Sequence, residues 1–305
     1  MATEINVLPS KSGVKPRVRG WKKWLTHQGV RRLVQAGFVA FIAWVTYVHI
    51  SVGEDSGIVT ASPEAFCPFG GIETFYNYLV SGGKTIQHTH LSNLVLAGAT
   101  IAVSLVFRAA FCGWICPLGT IQDWVHSFSA WAQKKVGALR RFTKWLGAVG
   151  GPVWALLDKW LRYFKYLLLA WAVGGAGVYG YMVFKDVDPW SALLTLAEWT
   201  FTPGVVVLGV LLAASLFVER PWCRYACPLG AVNGVVGALS PFYLKREASA
   251  CTDCKVCSRA CPMGLNVHTA TVVRHVDCIS CLECVGDCPR EGALELKLGL
   301  PLAGK

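Results

Sequence analysis

Charged side chains are scarce in this sequence. They make up 15% of its 305 residues, whereas 54% are hydrophobic and the mean hydropathy is +0.45. This shortage of charge excludes the usual profile of a soluble globular domain and predicts a membrane protein. Acidic residues are scarcer than basic ones, 18 against 29, which leaves a net charge of +11. Because basic blocks beside apolar runs are typical of membrane orientation and lipid contact, we expect membrane lipid, and no nucleic acid, as a partner.

Several motifs of nucleotide-binding and haem proteins are missing. No GxGxxG follows a strand, and there is no Walker GxxxxGK[ST] and no haem-attaching CxxCH. There are only 7 histidines, of which His49 alone lies in a predicted span, so a transmembrane haem held by two histidines is disfavoured. The first thirty residues show no apolar core with a cleavage site, so we expect the first span to be an uncleaved insertion signal.

The sequence divides into three segments. A basic arm, 1–33, is followed by an apolar region, 34–240, and by a cysteine-rich segment, 241–305. The apolar region contains four runs that suit membrane spans, the last completed by flanking residues: Val34–Ile50, Leu91–Phe107, Tyr166–Phe184 and Val205–Val218. We therefore predict a mainly α-helical membrane protein with four transmembrane helices.

The charges of the loops predict the orientation of these spans. Residues 108–165 hold nine Lys or Arg, whereas residues 51–90 and 185–201 hold one each. Because basic loops stay in the cytoplasm, we predict a multi-pass protein of the bacterial inner membrane with both termini cytoplasmic. The C-terminal cysteines then lie in a reducing compartment, where disulfides are disfavoured.

Eight of the 13 cysteines form two runs of the pattern CxxCxxCxxxCP in the C-terminal segment. This spacing is typical of a bacterial ferredoxin with two [4Fe-4S] clusters, in which the fourth cysteine of each run binds the other cluster. The predicted ligands of cluster 1 are Cys251, Cys254, Cys257 and Cys288. Those of cluster 2 are Cys278, Cys281, Cys284 and Cys261. Zinc is the alternative for four thiolates, but its sites usually combine two CxxC pairs across a longer loop.

A second cysteine pattern, CxxxCP, occurs at 112–117 and again at 223–228, with an offset of 111 residues. Each copy follows an even-numbered span, so we predict that a two-helix unit is duplicated. Proline after the second cysteine suits a cysteine at a helix N-cap, where backbone N–H groups favour the thiolate. We call Cys112, Cys116, Cys223 and Cys227 the cysteine quartet. Three interpretations stay open: a third site for zinc or an iron-sulfur cluster, a redox-active or regulatory thiol pair, and inert thiols in tight packing.

Cys67 begins a partial copy of this motif, Cys-Pro-Phe-Gly-Gly, in the loop predicted to lie outside. With Glu73 as a proton acceptor, this segment could form a pocket for a quinol ring. The alternative is a glycine turn packed over the ends of the spans. An outer quinol site would lie about 30 Å of hydrocarbon away from the ferredoxin segment. We therefore expect the quinone nearer the cysteine quartet, since an outer site needs a further relay.

The two CxxxCP motifs and the double ferredoxin motif together resemble NapH, over residues of about 30–295. The resemblance is carried by the eight ferredoxin cysteines, the quartet, Pro117 and Pro228. NapH belongs to a polyferredoxin-like group of membrane proteins that also includes NosR, CcoG and MauN. The resemblance implies a component of a quinol dehydrogenase complex, with two [4Fe-4S] clusters and quinone as substrate. It also implies a redox partner, either a ferredoxin-type protein or a multihaem cytochrome subunit.

Two other functions compete with quinol dehydrogenation. The likeness to CcoG implies a metal-reducing assembly factor for an exported metalloenzyme, and a redox sensor is the third possibility. Reduction of the clusters by a quinol analogue would favour the first function. Cysteine-dependent metal reduction without quinol activity would favour the second.

Overall fold

The protein is represented by a computed structural model that describes residues 26–52, 63–80, 91–197 and 200–299, so most of the predicted basic arm lies outside the described residues. Helices of an apolar body come first: α1 His27–Val52, α2 Pro68–Val80, α3 Leu91–Phe107, α4 Ala110–Trp114, α5 Pro117–Lys135, α6 Gly137–Tyr179, α7 Pro189–Ala197, α8 Pro203–Ser215, α9 Pro221–Tyr225 and α10 Pro228–Gly237. A smaller unit follows: β1 Phe242–Arg246, α11 Val256–Arg259, β2 Val272–Val273, α12 Glu283–Gly286 and β3 Leu294–Leu298.

Proline begins many of the helices in the body. It loses no hydrogen bond at the first helical position, and its fixed φ suits the helix. The helices that begin in this way are α2, α5, α7, α8, α9 and α10. Cys116 and Cys227 are the N-cap residues of α5 and α10, as the sequence predicted. Each CxxxCP motif is therefore a five-residue helix, α4 or α9, joined to the start of the next helix.

The body consists of two units with the same order of elements, α1–α5 and α6–α10. Each unit also has a short 3-10 helix before its second α-helix, Pro63–Phe66 in the first and Lys185–Val187 in the second. The sequence predicted a duplicated pair of spans, and the structure adds the short helices α2 and α7 at equivalent positions. Cys67 precedes α2 just as Asp188 precedes α7, so these two residues are structural counterparts.

The helices overlap all four predicted spans, but α6 and α8 end earlier than predicted, α8 at Ser215 and not at Val218. α3 has the bounds of the second predicted span, and α1 contains the whole of the first. α6 is 43 residues long but ends at Tyr179, five residues before the predicted end of the third span. Gly180 ends it by adopting a left-handed conformation with φ of 72°.

In the described part of the chain, α1 is the one helix that is both long and apolar enough to cross a membrane. Only 6% of its most apolar window is buried, and Phe41, Trp44 and Tyr47 are exposed. The core helix of a soluble protein would bury such a surface. α3 and α8 are also apolar but shorter. The arrangement of four spans therefore stays a prediction.

The C-terminal unit is a three-stranded antiparallel sheet in the order β2-β1-β3, joined to two cysteine-rich loops. Leu244 in the central strand pairs with Val273 on one side and Leu296 on the other. Leu244 belongs to a buried cluster that also contains Cys112, Cys223 and Cys281. The sheet, the ferredoxin loops and two thiols of the quartet, Cys112 and Cys223, therefore share one core, whereas Cys116 and Cys227 pack against a second one.

Candidate iron-sulfur site and adjoining cavities

The two ferredoxin loops have the same unusual backbone. Asp253 and Lys255 adopt positive φ angles of 49° and 60°, and Ser280 and Leu282, at the equivalent positions, adopt 48° and 58°. When right-handed and left-handed backbone conformations alternate along the chain, the backbone N–H groups point into a common concavity. This arrangement is found at iron-sulfur sites. The backbone of each loop thus fits the cluster that the sequence predicts for it.

The first loop brings together cysteines from both runs. Burial raises the pKa of Cys257, and the charges of Cys288 and Cys251 raise it further, which places these three thiols near one another. Cys254, the fourth predicted ligand of cluster 1, is exposed. This predicted set therefore lies at the solvent-facing side of the ferredoxin unit.

The second loop lies against the body. Burial raises the pKa of Cys284, and the neighbouring Cys281, Cys278 and Cys261 raise it further. Arg108, buried at the end of α3, lies beside Cys278 and donates from Nη2 to the carbonyl oxygen of His275 at 2.7 Å. Its Nε and Nη1 atoms are buried without an oxygen acceptor among the described residues. A buried cation with spare donors beside Cys278 fits an anionic cluster at this position.

The short helix α4 makes close contacts between the body and the ferredoxin unit. A Cβ on Gly113 would lie 2.3 Å from the carbonyl oxygen of Ile279, so only glycine permits this approach. Trp114 donates from Nε1 to the carbonyl oxygen of Ser280 at 2.9 Å. Arg31 donates from Nε to the carbonyl oxygen of Gly113 at 2.8 Å and also pairs with Glu283. The loop of cluster 2 is thus held against the first CxxxCP motif.

All four thiols of the cysteine quartet line one cavity, which also borders Met263 and Ile279 of the ferredoxin unit. The sequence predicted this convergence from the duplication. It also predicted that the N-cap position would favour the thiolate, and this is wrong for the thiols by themselves. Burial outweighs the backbone hydrogen bonds and raises the pKa of Cys116 to about 11. Burial likewise raises the pKa of Cys227, the N-cap residue of α10.

The predicted topology implied that Cys67 lies apart from the quartet. The structure instead brings Cys67 close to two of the quartet thiols. The 3-10 helix before it packs against the middle of α1, where the rings of Phe66 and Phe41 are 5.5 Å apart. Cys67 consequently lines the same cavity of about 70 Å³ as Cys116 and Cys227. We call this the middle cavity.

The glycines after Cys67 do not form a turn. Gly71 lies within α2, where a Cβ would come within 2.1 Å of the carbonyl oxygen of Asn93 in α3. The glycine therefore allows close contact between two helices, and the predicted glycine turn is wrong. This contact brings Asn93 beside Glu73.

Three buried polar atoms face a second cavity, which we call the Glu73 cavity. Its lining includes Cys67, Glu73, Asn93, Asp188 and Trp190. Oε1 of Glu73, Oδ1 of Asn93 and Nε1 of Trp190 have no hydrogen-bond partner in the described part of the chain. Buried groups of this kind are costly unless a ligand or water satisfies them, so this cavity of about 40 Å³ suits a small polar group with both donors and acceptors. Neither Asn93 nor Trp190 belongs to a motif, and for this reason the sequence did not identify them.

A larger, apolar cavity of about 200 Å³ continues from the middle cavity towards α1. The two share the side chains of Phe66, Phe111, Pro117 and Trp190. Together they approach the lower limit of roughly 300 Å³ for ligand pockets, and their lining suits an apolar ring and tail. The Glu73 cavity shares Cys67, Asp188 and Trp190 with the middle cavity and supplies the polar end.

Comparison with known proteins identifies the class of this chain. A family described as 4Fe-4S binding domain matches residues 89–138 and 200–246, and a second family, 4Fe-4S dicluster domain, matches residues 243–289. The prediction of a C-terminal ferredoxin unit is therefore confirmed. The fold and these matches define an iron-sulfur electron-transfer protein of the ferredoxin type.

Individual relatives define the family. The chain is 31% identical over 302 residues to the "Putative electron transport protein YccM" of Escherichia coli, covering 97% of this chain and 82% of that protein. It is 30% identical to the ferredoxin-type protein NapH of Haemophilus influenzae, covering 67% of this chain and 69% of that protein. It is also 28% identical to the regulatory protein NosR of Stutzerimonas stutzeri, over 58% of this chain and 23% of that protein. The chain belongs to the NapH-like polyferredoxin group of membrane proteins. No solved structure matches it.

Proposed function

We propose that this protein exchanges electrons between quinone, bound in the connected cavities of the apolar body, and a redox protein that docks at the exposed side of the ferredoxin unit. The main observation behind the proposal is that the two ferredoxin loops, the cysteine quartet and a cavity with unpaired polar atoms lie next to one another in this order. The quartet borders the ferredoxin unit on one side and, through Cys116 and Cys227, the middle cavity on the other.

The position of the Cys67 segment supports a quinone site near the cysteine quartet. A quinol site at the outer face would need a relay across most of the membrane, because the hydrocarbon core is about 30 Å thick. The segment around Cys67 instead reaches inward to the quartet, so one site contains both Glu73 and the surroundings of the CxxxCP motifs. The quinone site that we propose lies between them.

The polar end of this site has groups suited to a quinol. Trp190 Nε1 donates to one quinol oxygen, and the unpaired oxygens of Glu73 and Asn93 accept from a hydroxyl. Oxidation of a quinol releases two electrons and two protons. Glu73 accepts one proton and the second passes to water, while the two electrons leave one at a time for the iron-sulfur centres that the cysteines would hold, which carry single electrons.

The surface of the body supports a location in the membrane. α1 exposes large apolar side chains along its length, and α6 and α8 do the same with Leu167, Val178 and Val206. Apolar surface of this extent is stable against lipid but not against water. The connected cavities are then supplied with quinone from the surrounding bilayer.

The test is reduction of the clusters by a reduced quinone analogue. We expect the visible absorbance of the anaerobically purified full chain to bleach on adding a soluble quinol. Trp190→Phe removes one hydrogen-bond donor and should slow this reduction about tenfold, equivalent to about 1.4 kcal/mol. Trp160→Phe is the matched control, since Trp160 lies exposed on α6, and it should retain the rate of the wild type. Clusters that dithionite reduces and no quinol reduces would overturn the proposal, as would equal rates in the two variants.

A further inference from the structure

The cysteine quartet lies where the two units of the body meet. Cys112 and Cys116 come from α4 and the N-cap of α5, and Cys223 and Cys227 come from α9 and the N-cap of α10. Cys112 and Cys223 are buried, and all four thiols face the same cavity. Each unit therefore supplies half of a set of four sulfur ligands.

Hydrogen-bond donors surround these sulfurs in a symmetric pattern. Gln122 donates from Nε2 to Sγ of Cys223 at 3.7 Å, and Asn233 donates from Nδ2 to Sγ of Cys112 at 3.5 Å. Gln122 and Asn233 are separated by the same 111 residues as the motifs, and each reaches the thiol of the other unit. The backbone N–H of Gly230 donates to Sγ of Cys227 at 3.3 Å. Donors aimed at cysteine sulfur stabilise negative charge on it and tune the potential of a cluster.

Two buried cations lie close to the quartet. Arg220 donates from Nη1 to the carbonyl oxygen of Cys112 at 2.5 Å and also pairs with Asp123. Lys165 lines the quartet cavity itself and pairs with Asp277. Because each cation is paired with a carboxylate, and Asp277 also lines the cavity, these groups position the quartet and add little net positive charge.

The number of cysteines in the matched segments limits the possible centres. The 4Fe-4S binding family matches 89–138 and 200–246, and each segment contains only two cysteines, both from a CxxxCP motif. A [4Fe-4S] cluster needs four thiolates. The two segments together supply enough ligands for one shared cluster, whereas neither supplies enough alone.

The family matches favour an iron-sulfur cluster over a single zinc ion, which four thiolates could also hold. Among the described residues, no group of three or more His, Cys, Asp or Glu is placed to hold one metal ion, and this is true of the ferredoxin cysteines as well, so it does not separate the two kinds of centre.

We propose that the cysteine quartet holds a third [4Fe-4S] cluster, bound between the two units of the body. This site lies between the loop of cluster 2 and the middle cavity, so it is placed to relay single electrons between them.

The test is a count of iron and acid-labile sulfide in the full chain, purified without oxygen in lipid nanodiscs. We expect about twelve irons per chain in the wild type and about eight in Cys112→Ala or Cys227→Ala. Cys67→Ala is the matched control, because Cys67 borders the middle cavity without belonging to the quartet, and it should keep about twelve. The EPR signals of the reduced ferredoxin clusters should persist in both quartet variants, which shows that the chain still folds.

Other results would overturn the proposal. These are about eight irons in the wild type and the quartet variants alike, or one zinc or copper ion that the quartet variants lose. The iron count of the wild type tests the proposal by itself, even if a variant does not fold. The iron count tests the third cluster separately from the proposed quinone exchange. About twelve irons per chain, none of them reduced by a quinol, would contradict only the quinone exchange. About eight irons that a quinol does reduce would contradict only the third cluster.

Discussion

Glu73 is the residue on which proton transfer in the proposed site depends. Its side chain is buried, and burial followed by the charge of Asp188 raises its pKa to about 8. Cys67, Lys185 and Asp188 line the same cavity. A carboxyl group with this pKa is largely protonated at neutral pH, so it becomes a better proton acceptor as the pH rises.

We therefore expect quinol-dependent reduction of the clusters to become faster with increasing pH and to level off above about 8, the pKa of Glu73. Glu73→Gln should remove this dependence and slow the reaction at high pH about 100-fold. Stopped-flow absorbance between neutral and alkaline pH provides the measurement. Glu247→Gln, which makes the same change on the exposed ferredoxin surface, is the control. A pH profile unchanged by Glu73→Gln would show that another group accepts the proton.

Gly113, in the short helix α4, has the least room of the glycines that lie between the body and the ferredoxin unit. Gly113 has no room for a methyl group against Ile279, and its carbonyl oxygen accepts from both Arg31 and Gln35. This position therefore contributes to the contact between the ferredoxin unit and the body, together with Arg31, Arg108 and Trp114.

Gly113→Ala should destabilise the docked ferredoxin unit by about 1–3 kcal/mol, because the added methyl group overpacks the contact. Gly98→Ala is a matched control: Gly98 is also helical, but a Cβ there would have nothing within 4 Å. We expect the control to be neutral or slightly stabilising, since alanine favours helices. Loss of cluster absorbance on heating measures the difference. Equal melting of both variants would mean that the contact at Ile279 adjusts without cost.

Motifs explain what was predictable about these elements. The spacing of the ferredoxin cysteines and the proline after each CxxxCP cysteine fix local structure, so the ferredoxin unit and the starts of α5 and α10 follow from sequence. The helices α2 and α7 do not follow from sequence. The residues that precede them, Cys67 and Asp188, have in common only the proline that follows each of them. The Glu73 cavity depends on the contact of these helices with α3, and its residues Asn93 and Trp190 carry no local signal.

In the whole molecule, the start of α1 and the C-terminal unit lie on the same side of the body. Gln28 donates from Nε2 to the carbonyl oxygen of Cys281 at 3.3 Å, and Arg31 pairs with Glu283. For a chain that spans the membrane as predicted, this contact would put the beginning of the first helix and the ferredoxin unit at one face of the membrane. The distribution of basic residues predicts that this face is cytoplasmic.

Trypsin should therefore cut both ends of the chain in inside-out vesicles and neither end in right-side-out spheroplasts. The substrates are the basic arm and the ferredoxin unit, which antibodies against the two ends distinguish. A periplasmic protein of the same cells reports on the integrity of the spheroplasts. Cleavage of the two ends from opposite faces would contradict both the contact at Gln28 and the predicted orientation.

The crossed hydrogen bonds of Gln122 and Asn233 bear on the origin of the chain. Reciprocal contact, in which each half donates to the other's thiol, is the pattern of an interface between identical subunits related by a two-fold axis. A single half carries two of the four sulfurs, so an ancestor encoded by one copy would have completed the set only as a homodimer. Gene fusion would then have made that pairing permanent and freed each half to diverge, one acquiring a cysteine and the other an aspartate at the position of Cys67.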